Sequence, residues 1–333
     1  MKLLIASNAV FRPDGGNAAL LAVFDLMRAL AARDVEPALL CRDPQASGVQ
    51  VRSHDALGFP VFRASEPAAA APALAVAGEV DALVLLEGGD GALVGACGGL
   101  ALPVLVWLTR PLTARPPAAL PPTLRLLADG PAVAAAATGW FGRTPAILAL
   151  PAPRLSVVSS REHALLLDPT PAGGIEIAFA LAAARPQVRF VVAETEPLSA
   201  GWREACFARA ARCGNIDWRS AGSLPAGLAS ARVLLAPAMA PDADPWPLRA
   251  AQAAGVPALA TRHGALPDAL GDAGSLVAPD ASTETWLAAF DALWRDAARY
   301  APACARQAAV TADAVAAHLL EQLAMLRRAP RVV

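Results

Sequence analysis

Short apolar runs alternate with longer stretches of helical periodicity along most of the chain. The run KLLIAS (2–7) is strand-like, a polar, glycine-containing turn follows over 8–16, and apolar residues recur at helical spacing from 17 onward. The strand-like runs EPALLCR, DALVLLE and PVLVW continue the first half, with helical stretches between them. This alternation is typical of a parallel sheet covered by helices on both faces.

A proline-rich segment, LALPAPRL, separates this series from a second one. Proline stiffens a connection and interrupts regular structure. The segment therefore predicts two domains, 1–152 and 153–333, with the boundary between them at 152/153. The strand-like runs of the second half are HALLLD (163–168), QVRFVVAE, RVLLAP (232–237), VPALAT (256–261) and SLVAP. The fold class is therefore predicted as α/β, with two Rossmann-like α/β/α domains.

One uncharged stretch, between Asp90 and Arg110, is about as long as the ~18 residues that mark a candidate for a membrane-spanning helix. Two glycines and a proline interrupt its middle, and PVLVW has the length of a buried parallel strand. We therefore expect helix, turn and strand here, with a transmembrane helix as the alternative.

Composition and charge narrow the function classes. The 333 residues carry a formal net charge of −1, without a run of Lys or Arg, so a nucleic-acid partner is not expected. The five cysteines are scattered without a metal-binding spacing, which predicts reduced thiols and neither a zinc site nor a disulfide framework. The N-terminal apolar run is short, and we expect a cytoplasmic protein, with peripheral association with the inner face of the membrane as an open alternative.

The first candidate for a binding site is the loop SNAVFRPDGGNAA after the first strand. There Gly15 and Gly16 let the backbone approach a ligand closely, and the N-terminus of the next helix favours a diphosphate. The loop lacks the G-x-G-x-x-G pattern of dinucleotide sites. A simple tight turn between strand and helix stays open as the alternative.

The second candidate is the block 232–279. Its strand-like run ends in Ala236-Pro237, the acids Asp242 and Asp244 follow, and Trp246-Pro247-Leu248 opens a helical stretch. The runs QAAGVP (252–257), RHGALPD and GDAG complete the block in that order. The order resembles the donor-binding core of the family-four, retaining glycosyltransferases, and the PDGG loop and the segment DPTPAGGIEIAFALAAARP extend the resemblance over both halves.

The resemblance implies a GT-B fold, in which two Rossmann-like domains face each other across a cleft and the last helix packs back on the first domain. It implies a hexosyltransferase that moves sugar from a nucleotide-diphosphate sugar to an acceptor, with retention and without a metal or cofactor. The acceptor is left open by the resemblance, with a glycan, a lipid-linked acceptor and a small molecule as the alternatives. Asp242 and Asp244 are the implied catalytic residues, and the implied donor-binding residues are Gly15, Gly16, Gly173, Gly174, Trp246, Pro247, Leu248 and Arg110.

Members of the family have two glutamates in this block, separated by seven residues. This sequence has neither of them. Alignment from Gln252 without gaps gives Asp242 and Ala250 at these positions, whereas alignment on Trp246 makes Asp244 the first acid and requires a two-residue deletion. An alanine cannot accept hydrogen bonds from the ribose hydroxyls. This loss is expected to weaken donor binding by about 1.5–3 kcal/mol.

Basic residues depart from the family as well. The loop 171–174 has no Lys before its glycine to neutralise the diphosphate, and Arg12, Arg110 and Arg249 are the available substitutes. The acceptor-side His is not evident, and His263 is expected to be an ordinary solvated residue. The departures support a second hypothesis, a catalytically degenerate member that acts as a binding partner or scaffold. A nucleotide-sugar epimerase of the same architecture is a weaker third.

Overall fold

The computed structural model describes residues 1–10, 18–54, 58–88, 91–113, 124–155, 160–194, 198–219 and 224–328. Gly15, Gly16 and Arg12 therefore lie outside the described residues. The chain divides into two units, each with its own sheet, and parallel pairs dominate both sheets. The first contains Ala19–Pro151 together with the first strand and the last helix, and the second contains Ala152–Ala309.

The first unit is built on an eight-stranded sheet. Its strands are β1 Lys2–Val10, β2 Glu36–Arg42, β3 Gln50–His54, β4 Phe59–Ala64, β5 Ala82–Glu87, β6 Val104–Leu108, β7 Leu124–Ala128 and β8 Ala146–Ile147. Its helices between strands are α1 Ala18–Ala31, α2 Pro67–Ala77, α3 Ala92–Cys97 and α4 Pro131–Phe141. The strand order is β3-β4-β2-β1-β5-β6-β7-β8, and among the described strands only the β3–β4 pair is antiparallel.

Apolar runs explain the centre of this sheet. Every residue of β5 and β6 is buried, as expected for central parallel strands that have helices on both faces. The predicted helix, turn and strand between Asp90 and Arg110 are confirmed as α3 and β6. The first strand is longer than predicted, because it continues to Val10, which pairs with Arg42 of β2 after an irregularity.

The second unit has a six-stranded, wholly parallel sheet. Its strands are β9 His163–Leu167, β10 Arg189–Ala193, β11 Ile216–Arg219, β12 Ala231–Ala236, β13 Ala258–Thr261 and β14 Gly274–Val277. Its helices are α5 Ile175–Ala184, α6 Ala200–Cys213, α7 Leu224–Leu228, α8 Trp246–Ala253, α9 Leu266–Leu270, α10 Thr283–Asp296 and α11 Ala301–Gln307. The order β11-β10-β9-β12-β13-β14 is the 3-2-1-4-5-6 order of Rossmann folds.

The last helix, α12 Ala312–Arg328, belongs to the first unit. Its Asp313 pairs with Arg33 at 2.9 Å, and Arg327 lies 3.7 Å from Asp81. Val315, Ala316, Leu319 and Leu323 of this helix are buried at spacings of a helical face.

One helical run, Thr283–Arg327, is long and apolar enough to cross a membrane by length and composition alone. This is weak evidence, because core helices of soluble proteins meet the same criterion. The run is also interrupted at 308–311, between α11 and α12.

Candidate functional site

The candidate site lies at the carboxyl edge of the second sheet, where the strand order reverses. The chain passes from β9 to β10 on one side, and β12 lies on the other side of β9. Loops that leave neighbouring strands in opposite directions open a crevice at such a point, and ligands of open α/β sheets bind there. The loops after β9, β12 and β13 form this edge.

The turn between β9 and α5 is built around two glycines that cannot be replaced without movement of the backbone. Gly174 has a φ of +79°, and a Cβ on it would lie 2.0 Å from the carbonyl oxygen of Pro237. A Cβ on Gly173 would lie 2.2 Å from the carbonyl oxygen of Asp168. Thr170 Oγ1 accepts a hydrogen bond from the Gly173 amide at 2.9 Å. The sequence identified both glycines, and the close approach of two loops is the reason they are needed.

Two further contacts bind the three loops together. The Met239 amide, after β12, donates to the carbonyl oxygen of Ala172, in the β9 loop, at 2.7 Å. Gly264, after β13, has a φ of +59°, and a Cβ on it would lie 2.1 Å from the carbonyl oxygen of Pro241. The crevice edge is therefore one hydrogen-bonded and sterically matched unit of backbone.

His263 belongs to this unit as well. Its Nε2 lies 3.0 Å from the carbonyl oxygen of Ala238, and because a carbonyl oxygen only accepts, Nε2 is the protonated nitrogen of this contact. The side chain is half-buried. His263, expected to be an ordinary solvated residue, is only partly solvated, and its contact with Ala238 ties the β13 loop to the β12 loop.

The two acids of the β12 loop have different surroundings. Asp242 is half-buried, whereas Asp244 is exposed. Asp244 Oδ1 accepts a hydrogen bond from the Trp246 amide at 3.0 Å, at the start of α8. Asp244 thus satisfies a backbone donor that the helix leaves unpaired, as capping residues do.

The side chains that open α8 point into the protein. Trp246 is 3% exposed and Leu248 is fully buried, so neither side chain offers a surface to a ligand. Pro247, at the second position of the helix, is half-buried and has no amide hydrogen. Ala250, at the position of the family's second glutamate, is buried, and Arg249 is 8% exposed. The buried side chains at the start of α8 therefore pack beneath the loop edge and do not line its surface.

A buried ionic group at the end of β10 was not among the sequence-predicted site residues. Glu194, 2% exposed, accepts hydrogen bonds from Arg203 Nε at 2.9 Å, Arg203 Nη2 at 2.6 Å and Trp218 Nε1 at 2.8 Å. The hydrogen bonds with Glu194 raise the pKa of the Arg203 guanidinium above its ordinary value. Only the position of the glutamate at the end of a predicted strand pointed to this group.

Arg110, the remaining described candidate, lies in the first unit, at the end of β6. Its Nη2 donates to the carbonyl oxygen of Gly88 at 3.2 Å. Nearby, the buried Glu87 accepts hydrogen bonds from the amides of Gly88, at 3.1 Å, and Val94, at 3.3 Å. Glu87 therefore caps the start of α3, and Arg110 covers the adjacent turn.

Within the described residues, no group of three or more His, Cys, Asp or Glu side chains is arranged to hold a metal ion. The expectation of a site without a metal stays a prediction. All five cysteines are free, and only Cys213 is not buried.

Comparisons with known proteins give matches in structure only. No protein-family model matches the sequence, and no curated protein matches it. Among solved structures, sucrose-phosphate synthase from Thermosynechococcus elongatus superposes with a TM-score of 0.74 and 13% identity, over 99% of this chain and 100% of that one. Anabaena HepE in complex with UDP-glucose gives 0.69 and 16%, over 98% and 100%.

A third solved structure is WaaG, a glycosyltransferase involved in lipopolysaccharide biosynthesis. It matches with a TM-score of 0.64 and 15% identity, over 96% of this chain and 99% of that one. At this level of identity the likeness shows the fold. The predicted fold class, α/β with two Rossmann-like units of the GT-B type, is confirmed.

Proposed function

We propose that the protein is a glycosyltransferase that takes a sugar from a nucleotide-diphosphate sugar, in the manner of the family-four enzymes. The observation that carries the proposal is the carboxyl edge of the second sheet. There the glycine turn before α5 meets the β12 loop so closely that Gly174 admits no side chain. A backbone surface at a topological switch point suits a diphosphate, because side chains would keep the phosphates away.

The structural neighbours support the same donor class. WaaG is described as a glycosyltransferase, and another neighbour is named a sucrose-phosphate synthase. HepE is described in complex with UDP, with UDP-glucose, and with UDP and glucose. All of them match this chain over at least 96% of its length. We extend the donor class to this chain, with a glycan, a lipid-linked acceptor or a small molecule as the acceptor.

In the proposed reaction, Asp242 and Asp244 lie near the transferred sugar. Asp242 is half-buried, so its carboxylate would hold a sugar hydroxyl with less competition from water than an exposed acid. Transfer proceeds with retention and without a resident metal, as the family resemblance implies. The chemistry then depends on stabilisation of the departing diphosphate by backbone amides and by arginine.

A degenerate, non-catalytic protein is the second candidate, and one observation favours it. The turn that would receive the diphosphate, 171–174, offers no lysine of the kind that the family has, and the exposed acid Asp168 comes just before it. A carboxylate next to a diphosphate disfavours binding, because like charges repel.

Calorimetric titration of the protein with UDP, GDP and ADP, and with one sugar conjugate of each, tests the proposal. One nucleotide series should bind, and its sugar conjugate should bind more tightly than the free nucleotide. Asp242→Ala should weaken the sugar conjugate about tenfold or more, with little change for the free nucleotide. Glu204→Gln, which removes an exposed acid from α6, is the matched control and should change neither.

Two other outcomes of the titration would contradict part or all of the proposal. No binding of any nucleotide at millimolar concentration would overturn the transferase proposal and favour the degenerate protein. Equal weakening of nucleotide and conjugate in Asp242→Ala would remove Asp242 from the sugar subsite while leaving the donor class intact.

A further inference from the structure

A groove of about 630 Å³ crosses the helical layer of the second unit. It is lined by α5, the C-terminal part of α6 and the first residue of α10, and none of the residues discussed at the carboxyl edge of the sheet lines it. Its volume is in the range of small-molecule sites, roughly 300–1,000 Å³. The floor and the charged rim of the groove are formed by Ile177, Ala180, Ala183, Arg209, Arg212 and Cys213.

Small side chains on α5 keep the groove open. Ile177, Ala180 and Ala183 follow one another at intervals of three residues, which places them along one side of the helix. None of the three is buried, although α5 packs against both α6 and α10. The two alanines leave room between the helices, and the three residues form an apolar floor.

The wall on the α6 side is held in place by Arg209. Its guanidinium lies 4.3 Å from the centre of the Phe179 ring. The same group donates to both carboxylate oxygens of Glu176, at 2.5 and 2.6 Å. A stacked and doubly hydrogen-bonded arginine is a fixed surface, and the carboxylate of Glu176 is neutralised by it.

Arg212 supplies the net charge of the groove. Arg209 and Glu176 cancel, and the other lining residues are uncharged. Arg212 is exposed and has no ion-pair partner among the residues that the structure describes. Thr283, the first residue of the 14-residue helix α10, also lines the groove.

We propose that this groove binds an amphipathic organic anion. The apolar part of the ligand lies along Ile177, Ala180 and Ala183, and its single phosphate, sulfonate or carboxylate group lies at Arg212. An apolar floor with one unpaired cation at its rim is complementary to such a molecule in both shape and charge. The site is separate from the proposed donor edge, so its test does not depend on transferase activity.

Cys213 reports on occupancy without an engineered residue, because its reaction with a thiol reagent can be followed in the native sequence. It lines the groove and is the one cysteine of the five that is not buried. Burial raises the pKa of Cys41 to about 12 and those of Cys97 and Cys304 to about 11, so these thiols react slowly. In the native protein, a thiol reagent should therefore modify Cys213 first, and a Cys213→Ser variant verifies the assignment.

The experiment measures the rate of Cys213 modification with increasing octyl phosphate, kept below its micellar concentration. At a concentration about ten times Kd, modification should be slowed about tenfold. Arg212→Gln should weaken the apparent affinity about three- to tenfold. Arg299→Gln, which removes another exposed arginine (81% side-chain exposure), should leave the affinity unchanged.

Two further measurements separate the contribution of the apolar floor from that of the charge at Arg212. Octyl glucoside, with the same chain and no charge, should protect much less than octyl phosphate. Ala180→Leu fills the floor and should abolish protection while the melting temperature stays near that of the wild type. Absence of protection by octyl phosphate, equal protection by octyl glucoside, or unchanged affinity in Arg212→Gln would each overturn the proposal.

Discussion

The two ends of β9 differ in what the chain places around them. At the carboxyl end, Gly173 and Gly174 bring one backbone directly against another, and the loop residues 170–173 before Gly174 are half-buried or exposed. At the amino end, His163 is 1% exposed, and its Nε2 has no hydrogen-bond partner within the described part of the chain. At the carboxyl end two residues without side chains allow close backbone contact, whereas at the amino end the imidazole of His163 is buried.

Under the proposed function, this difference is the one expected between a ligand-binding edge of the sheet and an edge that only packs. Burial of a polar imidazole lowers stability, and it is tolerated where nothing has to enter. A crevice for a ligand needs the opposite arrangement, in which backbone groups stay accessible and loops hold one another in place. The two ends should therefore respond differently to substitution and to pH.

Gly174→Ala should give the largest effect. The added Cβ would lie 2.0 Å from the Pro237 carbonyl oxygen, and the φ of +79° is strained for any residue with a Cβ. Strain and overpacking together should lower the free energy of unfolding by about 2–5 kcal/mol. Urea denaturation followed by circular dichroism measures this change.

Gly201→Ala is the matched control for that substitution. Gly201 lies within α6, and a Cβ on it meets nothing within 4 Å. Alanine is the better helix former, so this variant should be more stable than the wild type by about 0.5–1 kcal/mol. If both variants were equally stable, the close approach of the β9 and β12 loops would not exist in solution.

His163 should make the amino end sensitive to acid. Burial, followed by the charges of Arg219 and Arg189, lowers the pKa of His163 from about 6.5 to about 4. The unfolded chain then binds more protons than the folded protein between these values. The free energy of unfolding therefore loses nothing to His163 above about pH 6.5. It falls by up to about 3 kcal/mol through this residue as the pH drops toward 4.

The measurement is urea denaturation from pH 7.5 to 4.5 for the wild type and for His163→Leu. Carboxylates contribute the same slope to both proteins, so the difference between the two curves isolates the imidazole. Parallel curves would mean that His163 is hydrated in the folded protein.

Much of the fold could be predicted because parallel strands at the centre of a sheet are short, continuous apolar runs. β5, β6, β9 and β12 are of this kind. The hairpin of β3 and β4 was not predicted, because the antiparallel edge strand QVRSH is polar. β11, IDWR, is an edge strand of four half-buried residues and is missing from the prediction for the same reason.

The candidate site was only partly predictable. Gly173 and Gly174 were implied by the family resemblance of the segment before α5, and their lack of a side chain is what the close approach of the loops requires. The burial of Trp246 and the contact of His263 with Ala238 depend on which loops meet. Sequence spacing carries no information on contacts between loops that follow different strands.

Removal of Arg203 tests how much the ion pair with Glu194 contributes to stability. Arg203→Met removes this ion pair from Glu194, which is 2% exposed, and keeps the hydrogen bond from Trp218. Because the Arg203 side chain is one-third exposed, its loss should cost about 2–3 kcal/mol, less than a fully buried pair. The double variant Arg203→Met, Glu194→Met should recover part of that loss, because no buried charge remains.

Unfolding free energies of the two single variants and the double variant form a complete cycle. A double variant that is as unstable as the sum of the single ones would contradict a direct interaction of the two side chains.

Asp244 should give the smallest effect on stability and the sharpest test of function at the carboxyl edge. Asp244→Ala removes the acceptor of the Trp246 amide and should cost about 1 kcal/mol, as loss of a helix cap does. Asp244→Asn keeps an acceptor in the same place and should retain the wild-type stability, while it removes the charge. Under the proposed function, the asparagine variant transfers sugar more slowly although it is equally stable. If its transfer rate equals that of the wild type, Asp244 is a cap alone, and Asp242 is the acid that remains for the sugar.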